Sequence, residues 1–255
     1  MANRHGFPIW YELMTPEPEA ATRFYEAVVG WHVQPPPTAA VDYRMIAAAD
    51  GTVAGMLLLS AEMQGAGAQP GWLVYMGVED VDATAAQAKS LGGHVFVPPT
   101  NIEDVGRFAL LADPQAAPFY IMHPDSPEAS RAFARGQHGH CGWNELCCPD
   151  PAAALSFYGA LFGWENRDTM DMGALGPYHF LSLGDEPVGA VTQMKDRPAH
   201  WNLYFVVPDI EAAVAAIHAN GGSVLMGPHD VPSGDSILLA CDPQKAPFAL
   251  VARKG

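Results

Sequence analysis

The sequence contains the same pattern twice. The segment WYELMTPEPEAATRFYEAVVGW begins at Trp10 and WNELCCPDPAAALSFYGALFGW begins at Trp143, and 12 of their 22 positions are identical. WLVYMGVEDVDATAAQAKSLGG from Trp72 matches WNLYFVVPDIEAAVAAIHANGG from Trp201 in the same register. Equivalent residues are 133 positions apart in the first pair and 129 apart in the second. A repeat of roughly 125 residues predicts two similar globular domains in tandem, because solenoid and propeller repeats are much shorter.

The repeat boundaries predict a first domain over residues 1–124, a linker over 125–138 and a second domain over 139–255. The sequence around the linker, HPDSPEASRAFARGQHG from His123, is polar and poor in strand-forming residues. A short helix is expected after Ser126-Pro127, since proline is favoured in the first turn of a helix.

Composition limits the partners that this chain is expected to have. With 49% hydrophobic and 16% charged residues the chain is expected to fold, and its net charge of −15 disfavours nucleic acid and anionic membranes. No apolar run reaches the roughly 18 residues of a membrane span, and the N-terminus lacks a signal-peptide stretch. Four cysteines without CxxC spacing are expected to be reduced thiols. A cytoplasmic protein with a small-molecule partner is predicted.

Each copy divides again into two modules with the order βαβββ. In the first module a strand precedes a helix that begins at a capped proline, as at Asp150-Pro151, and ends at a glycine such as Gly30. In the second module Asp80 or Asp209 caps the helix, and a Gly-Gly pair ends it. Short runs of strand-forming residues broken by Gly, Pro and Asp follow each helix and predict hairpins. The sequence therefore predicts an α+β protein of four βαβββ modules.

These landmarks resemble the vicinal oxygen chelate superfamily, which includes glyoxalase I, the bleomycin and fosfomycin resistance proteins and the extradiol dioxygenases. In the first copy the matching residues are Phe24, Tyr25, Gly30, Trp31, Val78 to Ala83 and Asp113-Pro114. In the second copy they are Phe157, Tyr158, Gly163, Trp164, Val207 to Ala212 and Asp242-Pro243. The tandem arrangement is similar to a bacterial two-domain subgroup. The resemblance implies a tandem duplicated glyoxalase/bleomycin-resistance/dioxygenase fold, whose mixed sheets curve into cups that hold a metal or a ligand.

The resemblance also implies where metal ligands would lie, at the first and last strands of the modules. The matching positions are Trp10, Leu73, Tyr120, Trp143, Asn202 and Ala249, with Met56 to Leu58 and Val191 to Gln193 in the hairpins. Asn202 and Gln193 form a neutral pair too weak to hold a divalent ion. No cofactor and no metal site are therefore predicted. Retention of Zn, Ni, Fe or Mn is the alternative.

Two glutamates are the candidate catalytic residues. Side chains two apart on a strand share a face, so Glu12 should lie beside Trp10 and Met14, and Glu145 beside Trp143 and Cys147. A carboxylate among aromatic and apolar side chains is a candidate general base, or a group that orients a ligand. The alternative is a structural role at a strand end. The candidate ligand-binding residues are Trp10, Met14, Tyr75, Tyr120, Trp143, Asn202 and Tyr204.

Weaker candidates are the spacing of His138 and His140 before Glu145, which is similar to a metal-ligand pattern, and His179 with its counterpart Arg44.

The main functional hypothesis is a glyoxalase-type protein that holds a small organic molecule in an aromatic, acidic cup, with glutamate-mediated proton transfer of a lyase, isomerase or hydroxylase kind. A non-catalytic protein that sequesters a drug or metabolite is the first alternative, and a metal-dependent glyoxalase or dioxygenase is the second. A monomer with a pseudo-twofold pair of domains is expected, with a weak homodimer as the alternative.

Overall fold

A computed structural model describes residues 3–36 and 41–253. The first copy contains two βαβββ modules joined by a short helix, α2 (Ala61–Gly65). The first module consists of β1 (Pro8–Thr15), α1 (Pro18–Val29), β2 (His32–Val33), β3 (Tyr43–Ala48) and β4 (Gly51–Leu58). The second consists of β5 (Gly71–Gly77), α3 (Val81–Ser90), β6 (His94–Ile102), β7 (Gly106–Ala112) and β8 (Pro118–Pro124).

The second copy repeats this order. Its first module consists of β9 (Cys141–Cys148), α4 (Pro151–Phe162), β10 (Glu165–Asp171), β11 (Pro177–Leu183) and β12 (Glu186–Gln193). Its second module consists of β13 (His200–Val206), α5 (Ile210–Ala219), β14 (Ser223–Asp230), β15 (Ser236–Cys241) and β16 (Pro247–Ala252). The predicted α+β class and the four modules are confirmed.

The strands of each copy form one eight-stranded mixed sheet. The order is β2-β3-β4-β1-β5-β8-β7-β6 in the first copy and β10-β11-β12-β9-β13-β16-β15-β14 in the second. The first strand of a module pairs in parallel with the last, and the intervening pairs are antiparallel. This pairing places Glu12 opposite Gly55 and Glu145 opposite Ala190. The two glutamates therefore occupy equivalent positions in the two sheets.

The predicted caps hold the helices at their expected ends. Asp80 accepts a hydrogen bond from the Ala83 amide, and Asp209 accepts from two amides at the start of α5. Asp150 caps α4 in the same way, whereas Glu17, at the same position of α1, makes no side-chain cap. Gly30 ends α1 in the left-handed conformation with φ of 81°, which glycine adopts without steric cost.

Packing divides the chain into two compact units, each with one module from each copy. The α3–α4 unit comprises the residues up to Ile9, Val74–Ser130 and Asn144–Asn202. The α1–α5 unit comprises Trp10–Leu73, Arg131–Trp143 and the residues from Leu203 onward. Each unit is named here for the two helices that pack together within it. Helix packing thus groups modules from both copies, whereas the predicted domain boundaries divide the chain by copy. The predicted boundaries therefore stay a prediction.

Aromatic residues of the repeated pattern form the core of each unit. In the α1–α5 unit the ring of Trp72 lies 5.4 Å from Tyr25 and 4.7 Å from Phe205. In the α3–α4 unit the ring of Tyr158 lies 5.4 Å from Trp164 and 5.6 Å from Trp201. Burying a large apolar side chain contributes roughly 1.5–3 kcal/mol, so these clusters are a main source of stability in each unit.

The second glycine of each Gly-Gly pair lies against an aromatic ring of the other copy. A Cβ added at Gly222 would lie 2.6 Å from Cε2 of Phe24, and one at Gly93 would lie 3.2 Å from Cε2 of Phe157. The first glycine, Gly92 or Gly221, has a positive φ and ends the helix. The pair therefore ends the helix, as predicted, and its second member also permits close packing between the copies.

The helix predicted after Ser126-Pro127 is wrong. Residues 125–140, all of which the structure describes, form turns and an isolated bridge. The Ser126 hydroxyl accepts a hydrogen bond from the Glu128 amide at 3.2 Å, and the Ser130 amide donates to Asn3 Oδ1 at 2.8 Å. A helix that began at Pro127 would need the Ser130 amide for its first intrahelical hydrogen bond, and Asn3 accepts from this amide instead.

Candidate functional site

Four strands of the α3–α4 unit, β10, β11, β12 and β9, lie side by side and present one face of mixed chemistry. Residues directly opposite each other on neighbouring strands share a face, so the register identifies its members. The central residues of this face are Glu145, Cys147, Thr192, Tyr178 and Phe180. The face therefore combines one carboxyl group with a thiol, two hydroxyl groups and two aromatic rings.

Three neutral groups donate hydrogen bonds to the Glu145 carboxylate. The Tyr178 hydroxyl donates to Oε2 at 3.0 Å, and Asn202 Nδ2 donates to Oε1 at 2.9 Å. The Cys147 thiol donates to the same Oε1 at 3.5 Å, and Asn202 Nδ2 lies 3.3 Å from its sulfur. These four residues, named here the Glu145 cluster, come from three strands. These three donors, none of which carries a positive charge, hold the carboxylate in one orientation.

Burial differs across the cluster. Cys147 and Asn202 are buried, whereas Glu145 and Tyr178 are half-buried. Burial raises the pKa of the Cys147 thiol, and the neighbouring Glu145 carboxylate raises it further, so the sulfur stays protonated and is a donor rather than a nucleophile. The carboxylate and the phenol are therefore the groups of this cluster that a ligand would meet.

The cluster does not fit a divalent metal ion. A catalytic site of that kind needs about three ligands with free lone pairs, such as imidazole, carboxylate or thiolate. Glu145 is the single carboxylate, Cys147 carries a proton, and Asn202 directs its NH₂ group at Glu145. Among residues 3–36 and 41–253, no group of three His, Cys, Asp or Glu side chains could hold a metal ion.

The tyrosines predicted on the second-module strands form a stacked pair in the α3–α4 unit. The rings of Tyr75 and Tyr120 lie 4.1 Å apart with an angle of 14° between their planes, and both residues are buried. They lie opposite each other in the parallel β5–β8 pair. Their role as ligand-binding residues stays a prediction.

The first-copy candidates Trp10, Glu12 and Met14 lie on β1 in the α1–α5 unit. Glu12 is only 2% exposed and Met14 is buried. Trp10 is half-buried and donates from Nε1 to the Tyr43 hydroxyl at 2.9 Å. Tyr43 is the structural equivalent of Tyr178, since Tyr43 lies opposite Leu57 as Tyr178 lies opposite Thr192.

The two remaining predicted ligand-binding residues also belong to the α1–α5 unit. Trp143 is half-buried, and the guanidinium group of Arg135 lies 5.2 Å from its ring centre, a cation–π contact. Tyr204 is buried on β13. The assignment of Trp143 and Tyr204 as ligand-binding residues stays a prediction.

The weaker candidates His140, His179 and Arg44 have structural partners. His140 is buried, with Nε2 at 2.8 Å from Asp50 Oδ1 and Nδ1 at 2.6 Å from the Arg131 carbonyl, so it anchors the linker to the β3–β4 turn. His179 contacts Thr169 and lies one residue from Tyr178, hence on the opposite face of the sheet. Arg44 is buried in ion pairs with Asp42 and Glu19.

Tyr178 was the residue missing from the sequence-based site. The signal for it was the repeat itself, because Tyr43 and Tyr178 occupy the same place in the two hairpins. The loops before these hairpins differ in length, so the offset there is 135 (178 minus 43) rather than 133. The match of His179 with Arg44 has this offset and therefore already aligns the two tyrosines.

Both halves of the chain match family models. Residues 137–248 match the Glyoxalase/Bleomycin resistance protein/Dioxygenase superfamily, and residues 10–122 match a Glyoxalase-like domain. The chain is also 33% identical over 255 residues to "Putative glyoxylase CFP32" of Mycobacterium bovis, covering 97% of this chain and 95% of that protein. The chain belongs to the glyoxalase/bleomycin resistance protein/dioxygenase superfamily. The resemblance stated from the repeated residues is confirmed.

Other superfamily members match along most of the chain. "Anthracycline biosynthesis protein DnrV" of Streptomyces peucetius is 32% identical over 267 residues, covering 96% of this chain and 93% of that protein. The 2,3-dioxygenase LapB from Pseudomonas sp. KL28 has a TM-score of 0.66 at 14% identity, covering 100% of this chain and 94% of the other. The Mn(II)-bound glyoxalase from Novosphingobium aromaticivorans has a TM-score of 0.64 at 16% identity, covering 98% and 82%. These two structures establish the shared superfamily fold. Among the described residues no helix is long and apolar enough to span a bilayer.

Proposed function

We propose that the second copy binds a small, planar, hydroxylated organic molecule at the Glu145 cluster, and that Glu145 accepts a proton from it. The observation that carries this proposal is the half-buried carboxylate held between the Tyr178 phenol and the Asn202 amide. Such a cytosolic small-molecule function also agrees with the net charge of −15, which disfavours polyanionic partners.

Neutral donors suit a group that must remain able to accept a proton. A cationic partner would stabilise the carboxylate strongly and weaken it as a base, whereas phenol and amide donors orient it with less stabilisation. Each carboxylate oxygen has about two acceptor sites, so Oε2 can bind Tyr178 and a ligand hydroxyl at once. In the proposed step the ligand O–H bond breaks, a new O–H bond forms on Glu145, and the electron pair stays on the ligand oxygen. Positioned general bases typically contribute about 10²–10⁴ in rate.

The chemistry of the surrounding face suggests the ligand class. Phe180 and Met170 lie on the same side as the cluster and are half-buried, which provides apolar area beside the carboxylate. A flat ring with hydroxyl groups matches that combination. The name of the relative DnrV refers to anthracycline biosynthesis, and anthracyclines are planar, hydroxylated polycyclic compounds.

A second candidate is binding without chemistry, as in a protein that sequesters a drug. It is supported by the same hydrogen bonds, because a carboxylate that already accepts from Tyr178, Asn202 and Cys147 can also serve as a fixed anchor. The two candidates differ in whether the ligand hydroxyl loses its proton when it binds.

Titration with 1,4-dihydroxyanthraquinone tests the proposal and separates the two candidates. We expect the wild-type protein to bind this probe and to produce the absorbance band of its phenolate. Glu145→Gln keeps the shape and removes the charge, so affinity should fall tenfold or more, about 1.4 kcal/mol, and the phenolate band should disappear. Tyr178→Phe should weaken binding less. Glu128→Gln, at an exposed position in a loop of the same unit, is the matched control and should behave as wild type.

Binding with no phenolate band in the wild type would favour sequestration. Full binding by Glu145→Gln, or no binding by the wild type, would contradict the proposed site for this ligand class.

A further inference from the structure

The two equivalent glutamates differ sharply in accessibility. Glu12 is 2% exposed, whereas Glu145 is half-buried. Both lie on the first strand of a module, opposite the same position of the last strand, so their backbone settings are alike. The difference in exposure must therefore arise from the side chains around them.

The residue opposite the glutamate is the first difference. It is Gly55 in the first copy and Ala190 in the second. A Cβ added at Gly55 would lie 2.0 Å from the hydroxyl oxygen and 2.4 Å from Cζ of Tyr43. The phenol of Tyr43 therefore fills the space that a side chain would occupy, directly beside the Glu12 position.

A hydrogen bond holds Tyr43 in that place. Trp10 Nε1 donates to the Tyr43 hydroxyl at 2.9 Å, and Trp10 lies on the same face as Glu12, two residues before it. Tyr43 and Trp10 thus form a bridge across the face next to Glu12. In the second copy the methyl group of Ala190 occupies the position that is empty at Gly55, and the hydroxyl of Tyr178 donates to Glu145.

At two further positions the first copy lacks a hydrogen-bond donor that the second copy has. Leu73 stands where the second copy has Asn202, and Met14 stands where it has Cys147. Neither leucine nor methionine has a side-chain hydrogen to donate, so the amide and thiol donors of the Glu145 cluster have no equivalents at these positions. The first copy keeps the glutamate and a tyrosine but has neither the amide nor the thiol that orient Glu145.

We infer that, of the two equivalent glutamate positions, the one in the second copy is open to a small molecule, and that Tyr43 closes the one in the first copy because Gly55 leaves room for its phenol. The inference rests on the proposed function for the identity of the open site. The closure of the first position stands on the packing of Tyr43, Gly55 and Trp10.

Carboxyl labelling tests the closure without any ligand. The full-length protein is treated with a water-soluble carbodiimide and glycine ethyl ester, and peptide fragment spectra report the labelling rates of Glu12 and Glu145. In the wild type we expect Glu145 to be labelled at least tenfold faster than Glu12. Tyr43→Ala should raise the rate at Glu12 at least fivefold and leave Glu145 unchanged. Tyr43→Phe keeps the ring over Gly55, so Glu12 should stay protected.

Gly55→Ala provides a second route that keeps the tyrosine. The added methyl group overlaps the end of the Tyr43 side chain, which can swing away, so Glu12 should become labelled as it does in Tyr43→Ala. Thermal melting confirms that each variant is folded before it is labelled. Equal labelling of the two glutamates in the wild type, or protection of Glu12 in folded Tyr43→Ala and Gly55→Ala, would overturn the inference. If the proposed function is wrong but the closure is right, Glu145→Gln will bind 1,4-dihydroxyanthraquinone as the wild type does, and the labelling pattern will still be the expected one.

Discussion

Tyr25 of the first copy donates a hydrogen bond from its hydroxyl to Asp242 of the second copy, at 3.3 Å inside the α1–α5 unit. The reciprocal pair, Tyr158 and Asp113, makes the same bond at 3.3 Å in the α3–α4 unit. Each aspartate also accepts two backbone amides of its own turn, Asp242 from Gln244 and Ala246. The repeated FY and DPQ residues therefore bind across the copies rather than forming part of the Glu145 cluster.

Removing the Tyr25 hydroxyl should destabilise the protein. Tyr25→Phe leaves Asp242 Oδ2 and Trp72 Nε1 without the hydroxyl that both contact in a buried core. Leaving a buried polar group unsatisfied costs about 1–3 kcal/mol, so the free energy of unfolding in urea should fall by that amount. Tyr178→Phe, at a half-buried position, is the control and should change it by less. Equal effects of the two substitutions would contradict the assigned role of Tyr25.

Asp242 should make stability depend on pH. Burial raises the pKa of its carboxyl group from 3.8 to about 6, so the folded state binds more protons than the unfolded state between these values. The stability that Asp242 contributes is then fully present below about pH 4 and is lost as pH rises through about 6. Relative to Asp242→Asn, the wild type should lose about 1–3 kcal/mol between pH 4 and 7. Urea unfolding of both proteins across this range measures the difference, and a flat or rising difference would refute it.

Gly222→Ala should disrupt the contact between α1 and α5. The new methyl group would lie 2.6 Å from Phe24 Cε2 and 2.8 Å from the Cys241 carbonyl, and the backbone atom cannot move as a side chain can. Overpacking of this kind costs typically about 1–3 kcal/mol. Gly65→Ala, where nothing lies within 4 Å, is the matched control and should not reduce stability. Combining Gly222→Ala with Phe24→Leu should recover part of the loss if Phe24 is the obstacle.

Ligand stoichiometry should be one per chain. Calorimetric titration with 1,4-dihydroxyanthraquinone should give one equivalent for the wild type and for Glu12→Gln, since Glu12 is 2% exposed. Glu145→Gln should weaken this binding tenfold or more, about 1.4 kcal/mol. Two equivalents, or a loss caused by Glu12→Gln alone, would show that the first copy also binds.

The protein should be a monomer in solution. Helices α1 and α5, and likewise α3 and α4, supply contacts between copies inside one chain, which single-domain proteins of this kind would need a partner to provide. Light scattering at low micromolar concentration should give a mass near 27.2 kDa. A dimer that unfolds when it is diluted would disprove this.

Much of the fold could be predicted from sequence because its determinants are local. Asp80 and Asp209 cap helices, Gly30 and Gly163 end them, and strand runs alternate with turn residues in the same order four times. The exchange of modules between copies could not be predicted in this way. It depends on which face of α1 meets α5, and Phe24 and Tyr25 would give the same periodicity against any apolar neighbour.

The site was predictable only in part. Strand parity placed Glu145 beside Cys147, the resemblance to the superfamily pointed to Asn202, and the structure joins all three. Tyr178 and the closing role of Tyr43 depend on how two hairpins of unequal loop length align, and on one missing methyl group at Gly55. Such differences decide which side chain fills a space, and a hydrophobicity pattern does not record them.

Because modules are exchanged between the copies, some residues of each copy are less free to change in evolution than others. Phe24 packs on Gly222, Tyr25 on Asp242 and Tyr158 on Asp113, so a change in one copy must be accommodated by the other. The hydrogen bonds that Cys147, Tyr178 and Asn202 donate to Glu145, by contrast, all lie within the second copy. A duplicated protein built in this way can let one of its two sites decay while both copies remain indispensable to folding, so the silent copy persists as a scaffold for the working one.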